Sequence, residues 1–356
     1  MLEALEALTA VESPSRDETA VRRCAARLLQ VGEAILGSPG EVVERDGCPH
    51  VRWRFGTPRV LVIGHFDTVW PMGTLERWPF TVDGATATGP GVYDMKAGVI
   101  QALHAVAALE DRDGVELLVT GDEEVGSPTS RGYIEEVCDA GLRAALVCEP
   151  AMHGRLKIAR KGCSFYRLDI TGRAAHGSQP ELGVNALREL AYQAEALDSL
   201  EDQAMGTTVT VTTASSGSAQ NTVPASASMT IDVRSTTLAE LERVDSALHQ
   251  LRPRLSGAVL ALHGEVNRPP MEERMCRELG KRALSLAADL GIPVPGTCAV
   301  PGGSDGNFTA GRGVPTLDGL GAVGDHAHAE GEYVDIEAMP GRARLLAALI
   351  EDVLRG

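Results

Sequence analysis

The chain has 356 residues, of which 44% are hydrophobic, a length and composition that exclude a disordered protein and point to two domains with substantial cores. Its 33 Lys and Arg against 49 Asp and Glu leave a net charge of −16, which argues against nucleic acid or an anionic membrane surface as partner. No run of about 18 apolar residues exists to span a bilayer, and the acidic, amphipathic start MLEALEALTAVESPSRDE lacks the features of a signal peptide, so a cytoplasmic location is expected.

In chain order, Leu2, Leu5 and Leu8, then Val21, Ala25, Leu28 and Leu29, predict two helices. Val51 to Phe55 and Val60 to Ile63 read as strands, the second running into Gly64-His65-Phe66-Asp67. The turn Gly89-Pro90-Gly91 then delivers Asp94 to a helix whose face carries Val99, Ala102, Leu103, Val106 and Leu109. The strand Val115 to Val119 ends in Gly121-Asp122-Glu123-Glu124. After a helix over Thr129 to Val137, the apolar run Ala144 to Cys148 stops at Glu149-Pro150. Strands alternating with helices predict an α/β domain with a mostly parallel sheet flanked by helices, and ligands of such sheets gather at the carboxyl ends of the strands.

Past Gly162 the pattern changes to strand, helix, two strands, helix, strand, the order of a ferredoxin-like α+β domain. From Pro269 the first texture resumes, ending in a helix from Ile336. The expected organisation is a discontinuous domain, residues 1–161 and 269–356, interrupted by an inserted domain, residues 162–268. Seven scattered cysteines with no C-x-x-C pair read as reduced, mostly buried thiols.

His65, Asp94, Glu123, Glu124 and Glu149 supply an imidazole and four carboxylates at predicted strand or helix ends, and the segment Gly324 to Glu332 adds two histidines. Each has a plainer reading: Asp94 as a helix N-cap, Glu123 and Glu124 at the positive end of the next helix, Glu149 in a solvated turn. Their gathering at one sheet edge favours metal-site chemistry.

The motifs Gly64-His65-Phe66-Asp67-Thr68-Val69-Trp70-Pro71, Gly89 to Gly98, Asp122 to Ser127, Glu149-Pro150 and His328 to Val334 occur in an order and spacing that resemble the dizinc exopeptidases and amidohydrolases. That family includes carboxypeptidase G, acetylornithine deacetylase and succinyl-diaminopimelate desuccinylase, with carboxypeptidase G the nearer match. The resemblance implies two zinc ions bridged by Asp94, with His65 and Glu149 completing one site and Glu124 and His328 the other; cobalt or manganese could substitute. It makes Glu123 the general base and Asp67 the group that orients His65, and it implies a cis peptide between Asp94 and Met95. Spacing to Glu332 selects His328 over His326, which is left as a neighbour.

In the inserted domain, the resemblance makes His176 an oxyanion-stabilising residue that reaches across a homodimer. It makes Asn221, Arg234 and Lys157 substrate contacts, with Gly303 and Ser304 lining the pocket. The implied activity is metallo-carboxypeptidase release of a C-terminal, glutamate-like amino acid from a small peptide or N-acyl amino acid. Deacylation of N-acyl amino acids is the alternative.

Two other motifs compete. Gly302-Gly303-Ser304-Asp305-Gly306 fits G-x-S-x-G, with Asp318 or Asp325 and His328 following in serine-hydrolase order, but Cys298 to Pro301 is a poor strand and four acids are left without purpose. Gly319 to Gly324 fits G-x-G-x-x-G without the helix a dinucleotide fold requires. A non-catalytic, peptide-binding relative is a further alternative, opposed by the intact set of ligands and base.

Overall fold

A computed structural model describes all 356 residues, which separate into two compact units. Met1–Ala159, Met271–Val300 and Ser304–Gly356 form the first, and Arg160–Pro270 with Pro301–Gly303 the second. Arg160 Nη1 donates to the carbonyls of Gly302 at 3.0 Å and Gly303 at 3.1 Å.

The first unit is built on a six-stranded sheet in the order Glu41–Arg45, Cys48–Phe55, Val115–Thr120, Val60–His65, Ala144–Val147, Thr316–Leu317. Val60–His65 pairs in parallel with Val115–Thr120 on one side and Ala144–Val147 on the other. Every residue of these three strands is buried, which is why they read as continuous apolar runs rather than alternating ones. Val62 faces a core containing Leu28, Ile100, Leu103 and Leu349. Leu61 and Ile63 face the other, containing Leu118, Ile134 and Phe308.

The antiparallel strand Glu41–Arg45 is a difference from the sequence reading. Its Glu-Val-Val-Glu-Arg run is largely exposed at the sheet edge, where charged residues discourage further pairing and erase the apolar signal.

The helix Ala97–Ala107 packs against Glu18–Leu36 and Met339–Arg355. Its entry requires a glycine: a Cβ on Gly98 would stand 2.1 Å from the Cys148 carbonyl oxygen. This close approach brings the segment carrying Asp94 to the carboxyl end of the Ala144–Val147 strand.

The second unit has an antiparallel sheet in the order Thr208–Ser216, Ser226–Ser235, Gly162–Thr171, Val259–Arg268, with helices Ala186–Asp198 and Leu238–His249. Tyr166, Leu168, Ile170, Met229, Ile231 and Val233 alternate onto one face and pack with Leu190, Leu241 and Val244, while the intervening residues stay more accessible. No helix is long and apolar enough to cross a membrane, and all seven cysteines are free thiols.

Candidate metal centre

His65 is the last residue of its strand, Glu123 and Glu124 follow the parallel strand Val115–Thr120, and Glu149 lies two residues beyond Ala144–Val147. Parallel pairing puts all three strand ends on one edge of the sheet. Asp94 is added by the Val92–Lys96 turn, which contains a cis Asp94–Met95 peptide and begins after Gly91 with its left-handed φ of 74°. Asp94 is therefore inside an irregular turn rather than capping the following helix.

The Asp94 carboxylate stands between two imidazoles. Its Oδ1 is 3.3 Å from His65 Nε2 and its Oδ2 is 3.3 Å from His328 Nε2. His65 Nε2 also lies 3.5 Å from Glu149 Oε1, and His328 Nε2 is 3.0 Å from Glu124 Oε1. Ligand atoms of His65, Asp94 and Glu124, and separately of His65, Glu123 and Glu149, lie within 4.8 Å of one another. His328 is thus the histidine joined to the cluster; the His326 ring instead sits 5.9 Å from that of Tyr333.

The donor set suits divalent cations. His65 Nε2 and Asp94 Oδ1 are buried and face each other at 3.3 Å without a well-aligned hydrogen bond, an arrangement that leaves both directed at a common point rather than fully satisfied by each other. Two imidazoles and several carboxylates offer the nitrogen and oxygen ligands that zinc and related metals take.

The electrostatics point the same way. Burial lowers the affinity of His65 for its proton, but Asp67, Asp94 and Glu149 raise its pKa well above the ordinary value. Hydrogen bonds with Asp94 and Glu124 lift His328 to about 10, and burial pushes Glu124 up to about 8. Burial also opposes ionisation of Asp94, yet His328 and His65 hold it well below the usual carboxylate range.

Asp67 braces this edge. His65 Nδ1 is 3.0 Å from the Asp67 main-chain carbonyl and 3.4 Å from its carboxylate, so the ring is oriented chiefly by the backbone oxygen. The carboxylate accepts the main-chain N–H groups of Glu123 at 3.2 Å and Glu124 at 3.1 Å, and the Ser15 hydroxyl at 2.6 Å. Ser15 went unnoticed in the sequence because nothing local signals a contact made across 52 positions. Glu332, which served only as a spacing mark, is buried and bonded to the Asp94 turn.

Lys157 is also buried, with Nζ 3.9 Å from Glu149 Oε2. Ser304 is wholly buried and its hydroxyl donates to Asp318 at 2.6 Å, while His328 is engaged at Asp94 and Glu124. The Ser-Asp-His expectation fails on that geometry, since the serine has a carboxylate partner and no histidine base. The residues after Gly324 form a short strand rather than a helix.

In the second unit, His176 lies on the short strand Ala175–His176 paired with Thr222–Val223. Its ring is exposed, with Nδ1 2.7 Å from the Ser178 hydroxyl, and the neighbouring Asn221 carbonyl accepts the Gly177 N–H at 2.6 Å. Arg234 directs Nε and Nη2 at Asp232, both at 3.0 Å.

The chain matches Peptidase family M20/M25/M40 over residues 61–352 and belongs to that family. It is 32% identical over 381 residues to carboxypeptidase G2 of Pseudomonas sp. (strain RS-16), covering 100% of this chain and 90% of that protein. Succinyl-diaminopimelate desuccinylase of Bordetella avium is 27% identical over 349 residues, with 90% and 91% covered. A tripeptidase from Staphylococcus aureus shares the fold, with a TM-score of 0.76 at 20% identity over 100% of this chain and 98% of that one. The protein is a metallo-carboxypeptidase or amidohydrolase of this family.

Proposed function

We propose that this enzyme uses two divalent cations, zinc by expectation, to cleave an amide bond and release a C-terminal, glutamate-like amino acid from a small peptide or N-acyl amino acid. The observation that carries the reading is Asp94, whose two carboxylate oxygens each face a different imidazole at 3.3 Å. That is the disposition of a carboxylate shared by two cations. Asp94 would hold both, with His65 and Glu149 on one and Glu124 and His328 on the other.

When bound, such cations supply Lewis acidity toward the amide carbonyl and lower the pKa of water. Glu123 accepts the water proton at its carboxylate and passes it to the leaving amine nitrogen. Asp67 keeps Glu123 and Glu124 in register through their main-chain N–H groups, and Lys157 faces Glu149 and contacts substrate. Arg234 and Asn221 receive the α-carboxylate, for which a guanidinium fork is well matched. His176 stabilises the oxyanion from the partner subunit of a homodimer, Gly303 lines the pocket while Ser304, wholly buried against Asp318, does not reach it, and the enzyme works in the cytoplasm.

The glutamate preference is supported by 32% identity to carboxypeptidase G2 across the whole chain. The alternative, deacylation of N-acyl amino acids, is favoured by the desuccinylase match. Metal-depleted protein, reloaded with zinc, should hydrolyse acyl-glutamate substrates and lose that activity again with chelator. Full activity after verified metal removal overturns the two-cation reading. Equal turnover of a substrate and its C-terminal amide overturns α-carboxylate recognition, and faster turnover of N-acetyl or N-succinyl amino acids moves the assignment to the alternative.

A further inference from the structure

Glu332 has no part in the reading above, yet its wholly buried carboxylate collects four N–H groups. Oε1 accepts from the main chain of Tyr93 and of Asp94, both at 2.8 Å. Oε2 accepts from the main chain of Gly91 at 3.0 Å and from the indole of Trp70 at 2.9 Å. An ionised carboxylate only accepts, so it matches this cluster of donors with no donor of its own to misplace.

The two halves of the centre are held in different ways. His65 is itself paired within a central strand, and Glu149 follows two residues after another, its carbonyl accepting the Gly321 N–H at 2.9 Å. His328 has no such support: it lies between the short strands Gly324–Asp325 and Tyr333–Asp335, has a left-handed φ of 62°, and its side chain is 49% exposed. Glu332, four positions later, is where this segment is bonded to the turn that carries Asp94.

We propose that Glu332 is a positioning residue that sets His328 against Asp94, and that it governs the cation position at Asp94, Glu124 and His328 in preference to the one at His65 and Glu149. The inference rests on the two-cation reading. Glu332→Gln keeps one acceptor oxygen and turns an NH2 group toward two of these donors. Trp70→Phe removes a single donor and leaves the three main-chain bonds intact, so the two substitutions form a graded pair.

The test is a zinc titration of metal-free wild type, Glu332→Gln, Trp70→Phe and His328→Ala against a chromophoric chelator, with circular dichroism confirming folding of each. Wild type should bind in two resolvable steps. Glu332→Gln should weaken one step by about 10–100-fold and leave the other within about threefold, as removal of a group that orients a ligand does. The weakened step should be the one lost in His328→Ala, and Trp70→Phe should weaken the same step by less. Equal weakening of both steps, or two steps matching wild type, overturns the proposal. Should Glu332→Gln fail to fold, Trp70→Phe decides alone, and wild-type affinity at both steps then overturns it. Fewer than two steps in wild type overturns the two-cation reading itself, an outcome distinct from an unaffected variant.

Discussion

The main-chain N–H of Glu124 donates to the Asp67 carboxylate at 3.1 Å. The adjacent N–H of Glu123 reaches the other carboxylate oxygen at 3.2 Å, so one buried side chain holds both the candidate base and a candidate ligand. Asp67→Asn would turn an NH2 group toward one of these donors. It should lower kcat by about 10–100-fold with a smaller change in KM, measured in steady state on metal-loaded protein.

Glu123→Gln removes the proton acceptor while keeping size and polarity. The expected outcome is a kcat lower by about 10²–10⁴-fold, with metal content by elemental analysis unchanged. A large loss of metal would instead make Glu123 a ligand.

Gly98 permits the helix to approach the Cys148 carbonyl oxygen, and a Cβ there would stand 2.1 Å from it. Gly98→Ala should destabilise the protein by about 1–3 kcal/mol through overpacking, seen as a lower midpoint in urea. Gly132, in the Ser130–Cys138 helix, has nothing within 4 Å of a Cβ. Gly132→Ala should raise stability by about 0.5–1 kcal/mol, so the same substitution has opposite signs at the two sites.

Stability should also carry a pH dependence from Glu189 in the second unit. Burial would raise its pKa, but Gln193 Nε2 at 2.7 Å and the N–H groups of Arg254 at 2.9 Å and Leu255 at 2.8 Å hold it below the ordinary value. A carboxyl depressed on folding contributes stability above its unfolded pKa, and that contribution is lost as pH falls through the folded one. Glu189→Gln should cost about 1–3 kcal/mol near pH 7, and the difference from wild type should shrink in urea titrations carried progressively below about pH 4.5.

The composition and local pattern of the chain were enough to place most of the first unit. Continuous apolar runs such as Val60 to Ile63 mark strands buried on both faces, and the acids that follow them mark the functional edge, because parallel strands carry their carboxyl ends to one side. The motifs around His65, Asp94, Glu124 and His328 identified the family for the same reason: ligand chemistry restricts residue type and spacing. The charged edge strand Glu41–Arg45 escaped notice, since its exposure leaves no hydrophobic period to read.

Contacts between distant segments were decided only by the tertiary structure. G-x-S-x-G at Ser304 looked like a nucleophile motif until the fold buried the hydroxyl against Asp318. His328 was separated from His326 by its distance to Asp94 and Glu124. Glu332 emerged as an anchor because four N–H groups converge on it. A sequence determines which side chains can ligate, donate or accept, but whether a buried donor meets its acceptor depends on long-range packing.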